Sequence, residues 1–195
     1  MTPRPLVAAG VAACALAGCA GSGGEVAPRG NMTHEEAQHF GVFPLYYPGP
    51  AVGDLQLEAI ERTAYSSPRP HIQVTFLYGT CEARSDGGCV VPLHVLVWDE
   101  CFRFEQRYSI PRGERVTVRG VPGRFRPPSA GTVARLELYP ADATVVLNDY
   151  SAGKVGSLLQ VAGRLRGLNV AAAPSVNLPD RPPRAARVAR CERSP

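Results

Sequence analysis

No stretch of this chain constrains its fold more than His71 to Gly79. Ile72, Val74, Phe76 and Tyr78 alternate there with His71, Gln73, Thr75 and Leu77, and only an extended backbone turns the first four to one side. Leu57 to Tyr65 is a second extended run, and Ser66-Ser67-Pro68-Arg69-Pro70 between the two reads as a hairpin loop. Leu93 to Trp98 is apolar on both faces apart from His94, as in a central strand. Phe102 to Ser109 alternates less cleanly. Arg115 to Arg119 is a short strand stopped by Gly120, with Pro122 and Gly123 continuing the turn. Val133 to Tyr139 and Ala143 to Leu147, around Pro140-Ala141-Asp142, predict another hairpin.

Two helices complete the expectation. Thr33 and Glu36 have the spacing of a capping box, which starts a helix of one or two turns ending before Gly41. Val155, Leu158, Leu159, Ala162 and Leu165 form one apolar stripe of a longer helix, with Ser151 as its N-cap and Gly167 just past its end. The predicted fold class is therefore α+β: mainly antiparallel sheet with one C-terminal amphipathic helix packed on it. The aromatic knot Phe43-Pro44-Leu45-Tyr46-Tyr47-Pro48 is expected along a sheet edge, with an exposed partner-binding patch as the alternative.

The first residues set the address. After Arg4, Leu6 to Ala17 carries no charge, and the run ends on small residues, the three parts of a secretory signal peptide. The segment is too short to span a bilayer, which takes about 20 apolar residues. Leu16-Ala17-Gly18-Cys19 resembles the lipobox of bacterial lipoproteins. That resemblance implies cleavage between Gly18 and Cys19, a diacylglycerol on the Cys19 sulfur, and an exported domain anchored to the outer face of the bacterial cell membrane. The chain then divides into a leader (1–18), a flexible tether (19–32), an α+β domain (33–170) and a Pro/Arg-rich tail (171–195).

Cysteine usage agrees with export. Cys14 leaves with the leader and Cys19 takes the lipid, so Cys81, Cys89, Cys101 and Cys191 remain, an even number with three possible pairings. Asp86-Gly87-Gly88 is a turn that favours Cys81 with Cys89, leaving Cys101 for Cys191. Cys81, Cys89, His94 and Cys101 have the ligand types of a zinc site but not its usual short spacing, so no metal and no cofactor is expected.

The charge of +4 is too small to indicate nucleic acid, and no basic-aromatic run supports it. In the tail, Arg181, Arg184, Arg187, Arg190 and Arg193 recur every third residue. In polyproline II that spacing aligns them on one face able to meet an anionic surface. Lys154 is the lone lysine beside so many arginines, a bias that tempers any argument from arginine count. No P-loop, nucleophile elbow or HExxH pattern occurs. His34 and His39 sit beside the tether and His71 opens a strand. Asp99, Glu100 and His94 are the remaining acid–base candidates.

Tyr78-Gly79-Thr80-Cys81, Gly87 to Leu93, Trp98-Asp99-Glu100-Cys101, Arg119-Gly120-Val121-Pro122 and Leu136 to Tyr139 together resemble a pattern in uncharacterised exported proteins of high-GC bacteria. The resemblance spans roughly residues 43 to 169 and implies one α+β domain without implying an activity. A non-enzymatic binding or structural lipoprotein is the leading expectation. An envelope hydrolase using Asp99, Glu100 and His94 is the alternative. A small-ligand receptor is a third class, although such receptors usually need two lobes.

Overall fold

Two features that the sequence keeps apart, the strand-like centre and the aromatic knot, come together in one packed unit. The computed structural model describes residues 30–66, 71–83, 88–101, 113–140, 143–151, 153, 155–170, 178 and 191. The leader, Cys19, most of the tether, the run Phe102 to Ser109, the turn residues Asp86 and Gly87, and the periodic arginines of the tail lie outside the described residues.

In chain order the elements are β1 (Gly30–Asn31), α1 (His34–Gln38), β2 (Tyr46–Tyr47), β3 (Ala51–Val52), β4 (Leu55–Tyr65), β5 (His71–Tyr78), β6 (Glu82–Ala83), β7 (Cys89–Val90) and β8 (Leu93–Asp99). There follow β9 (Glu114–Val118), β10 (Val121–Arg126), β11 (Ala134–Leu138), β12 (Ala143–Asp149), α2 (Leu158–Gly163) and β13 (Arg166–Gly167). A nine-stranded antiparallel sheet runs β1-β4-β5-β8-β12-β11-β10-β9, with β3 also paired to β4. The fold is thus sheet-rich, and the two helices among the described residues are short.

Both expected hairpins are present, β4 with β5 and β11 with β12, and β8 lies between β5 and β12 as a central strand. The expected turn after Gly120 is corrected. Arg119 and Gly120 both have positive φ, 49° and 81°, the signature of a two-residue hairpin loop that keeps the strand twist. Pro122 and Gly123 therefore belong to β10 rather than to a turn. Gly123 is there because a Cβ would lie 2.4 Å from the Glu137 carbonyl oxygen on β11, so only glycine allows this approach.

One face of the sheet carries the core. Ile60, Phe76, Val95, Leu147, Leu136 and Phe125 stand opposite one another across six strands, and alternate residues of a strand share a face. Covering them are Phe43, Leu45, Tyr46 and Tyr47, all buried, with Tyr47 stacked on Phe76 at 5.4 Å. The aromatic knot is therefore core over the sheet's face. That corrects both the edge placement and the exposed-patch alternative. Asn169 fixes it: its Oδ1 accepts from Leu45 N at 2.7 Å while its Nδ2 donates to the carbonyls of Phe40 and Phe43.

The C-terminal helix is shorter than expected. It covers Leu158–Gly163 with Ser157 as N-cap. Gly153 and Gly156 hold φ of 99° and 76°, which interrupt any helix begun at Ser151. Ser151 is instead buried after β12, where its amide and hydroxyl donate to Asp149 and its Oγ accepts from Val155 N. Leu158, Val161, Ala162 and Leu165 form the buried stripe, while Leu159 is exposed. Gly167 is not a cap either, since Arg166–Gly167 pairs with Tyr46–Tyr47 as a strand. At the other end, α1 carries the full capping box between Thr33 and Glu36.

Candidate functional site

The opposite face of the same sheet is built from different chemistry. Across it runs the row Glu61, Thr75, Leu96, Val146, Glu137, Arg124 and Arg115, each directly opposite the next on neighbouring strands. A parallel row reads Leu77, His94, Asn148, Arg135 and Arg126, and a shorter one Thr63, Gln73, Trp98 and Thr144. Thr75, Thr144, Val146, Glu137 and Asn148 are buried in its middle. The face ends in a stack of Tyr65 on His71, with ring centroids 4.6 Å apart.

Arginines gather at one end. Arg126 faces Arg135 directly, and Arg124 lies between Arg115 on one side and Glu137 on the other. Arg124 donates to the Gly113 carbonyl at 3.1 Å. The Nε atoms of Arg126 and Arg135 are buried and have no hydrogen-bond partner among the described residues. Like charges directly opposite on adjacent strands destabilise a sheet, with side chains about 5 Å apart at Cβ. Arg115 is exposed and the other three are half-buried, so the cluster opens to solvent at the sheet's end.

His94 stands in the middle of this face. Burial holds its imidazole below the ordinary histidine range, a hydrogen bond to the Val91 backbone pulls less strongly the other way, and Tyr150 packs at 4.7 Å. Its Nε2 is buried without a hydrogen-bond partner among the described residues. Asp99, five residues along β8, points to the opposite face, some 17 Å away along the strand. Asp99 instead accepts from Cys101 N at 2.7 Å, and Glu100 is buried beside it. The structure therefore does not bring His94 and Asp99 together.

The cysteines lie in two pairs. Cys81 and Cys89 have Cα atoms 5.5 Å apart across the small β6–β7 ladder, and Cys101 and Cys191 have theirs 5.1 Å apart, joining the end of β8 to the tail. With all four so engaged, Cys81, Cys89, His94 and Cys101 do not form a ligand set, and no group of three or more metal-binding side chains occurs among the described residues. Elsewhere, His39 lines a groove of about 610 Å³ with Met32, Glu36, Phe40 and Arg62.

Sequence reasoning missed the arginine cluster. The signal was present in the alternation Arg124-Phe125-Arg126 and Arg135-Leu136-Glu137, but reading Pro122-Gly123 as a turn hid the strand that joins them. No family model, curated protein or solved structure matches the chain.

Proposed function

We propose that this chain is an exported lipoprotein whose folded domain is a non-enzymatic binding module, held at the outer face of the bacterial cell membrane by acylation of Cys19. The lipobox Leu16-Ala17-Gly18-Cys19 supports the anchor. Acyl chains contribute about 0.8 kcal/mol per buried methylene, so the two of a diacylglycerol hold a domain on a bilayer stably. The paired cysteines fit the oxidising compartment that export implies. The resemblance to exported proteins of high-GC bacteria points the same way.

One observation carries the binding reading: a sheet face whose arginines stand opposite each other without a counter-charge for every one among the described residues. The hydrolase alternative has less support, because general acid–base work needs both groups within reach of one reacting atom, and His94 and Asp99 occupy opposite faces. Mass spectrometry of the mature chain tests the anchor. A lipid-modified N-terminal Cys19 is expected, and an unmodified Cys19 after export sinks the reading. His94→Ala and Asp99→Ala, each introduced into the full chain, are expected to leave the envelope phenotype intact.

A further inference from the structure

We propose that Arg115, Arg124, Arg126 and Arg135 form a binding site for a phosphate group at the open end of the polar face. The inference deepens the binding-module reading by naming its ligand class, and it does not depend on the anchor. The four side chains come from three neighbouring strands, β9, β10 and β11, and strand register puts all of them on one face. Among the described residues of β9, β10 and β11, Glu137, opposite Arg124, is the one carboxylate on this face. Four guanidinium groups against one carboxylate leave an excess of positive charge among these described residues. A phosphate dianion offsets more of that excess than a single carboxylate does.

The geometry suits such a ligand. A guanidinium presents its donors as a planar fork that matches phosphate oxygens bidentately. Arg126 and Arg135 stand directly opposite each other, as do Arg115 and Arg124, so each pair can grip one anion from two sides. The buried Nε atoms of Arg126 and Arg135 are donors without a hydrogen-bond partner among the described residues. Leaving a buried donor unpaired opposes folding, and an oxyanion between the two side chains removes that cost together with their mutual repulsion. On the same row, Asn148 lies opposite Arg135 and adds a buried amide beside the cations. The half-exposure of Arg124, Arg126 and Arg135 leaves the site reachable.

Phosphate of this kind reaches an exported domain either as the free ion or as the headgroup of an anionic phospholipid. The full chain carrying Cys19→Ser, which removes acylation, allows both to be tried. It is titrated with inorganic phosphate by calorimetry and, separately, with phosphatidylglycerol vesicles against phosphatidylcholine vesicles. The site predicts binding of at least one probe. Response to phosphate identifies the free ion, and response to phosphatidylglycerol alone identifies the headgroup. The double substitution Arg126→Gln/Arg135→Gln is expected to weaken that binding at least tenfold, while Arg62→Gln, on the other face, leaves it unchanged. Thermal melting keeps the test independent of folding. Removing the opposed charges is expected to leave Tm at or above that of the unsubstituted chain. The proposal is overturned if neither probe binds, if the double variant binds as tightly as its parent, or if that variant melts well below it.

Discussion

The two faces of the large sheet share every strand and every ladder hydrogen bond, yet they follow different rules. On one, Ile60, Phe76, Val95, Leu147, Leu136 and Phe125 present an unbroken apolar row to Tyr47, Leu45 and α2. On the other, the adjacent row passes from Glu61 through Thr75 and Glu137 to two opposed arginines. Burial on the first face removes apolar surface from water and stabilises the fold. Burial on the second encloses the Thr144 hydroxyl and His94 Nε2 with no hydrogen-bond partner among the described residues, which opposes folding. Selection for stability alone would replace these groups by aliphatic ones of similar shape. Their presence on a single face separates the two sides: one holds the chain together, and the other carries the polar groups on which the proposed binding reading rests.

Single substitutions can break this contrast. Phe76→Ala removes a fully buried ring from beneath Tyr47 and is expected to cost about 3–5 kcal/mol in urea unfolding. Thr144→Val deletes a buried hydroxyl that lacks a partner among the described residues while keeping the side chain's shape. Such an exchange is expected to be neutral or stabilising by up to about 1 kcal/mol. Comparable losses at the two positions would mean that both faces serve packing alike. Between these extremes lies Asn169→Ala, which leaves the Leu45 amide and the Phe40 and Phe43 carbonyls without their side-chain partner. A loss of about 2 kcal/mol is expected, with earlier proteolysis around residues 40–45 as the local readout.

Locally encoded features were open to reading from the residues. The alternation in His71–Tyr78 and the capping box at Thr33 and Glu36 each act within a few residues, and both appear where their chemistry puts them. Errors arose where a local signal competed with a distant contact. Pro122-Gly123 has the composition of a turn, but Gly123 is in β10 because the Glu137 backbone passes too close for a side chain. The stripe from Val155 to Leu165 has helical spacing throughout, yet left-handed Gly153 and Gly156 delay the helix until Leu158. Phe43 to Pro48 carries no period that reveals burial, since its position depends on Asn169, more than 120 residues away. The arginine site is of this second kind. Arg115, Arg124, Arg126 and Arg135 become neighbours only once strand register is known.

The smallest expected effect concerns His94, and it distinguishes the faces by pH. Its folded-state pKa is lowered chiefly because burial penalises the charged ring, whereas an unfolded histidine titrates near about 6.5. Below that pH the unfolded chain takes up a proton that the folded chain resists at this position, so stability falls as pH falls. The contribution is fully present above about 6.5 and is lost towards the lower, folded-state value. The two residues directly opposite the ring, Asn148 and Leu77, carry no charge, so burial sets the direction against the weaker pull of the Val91 backbone hydrogen bond. His94→Gln removes the titrating group while keeping a polar side chain. Between about pH 7.5 and 5.5, its urea midpoint is expected to drop less than that of the unsubstituted chain. His34, His39 and His71 are common to both proteins, so the difference in drop belongs to His94. An identical drop in the two would mean that protonation at this point of the polar face carries no penalty, and the ring would have to be hydrated in the folded chain.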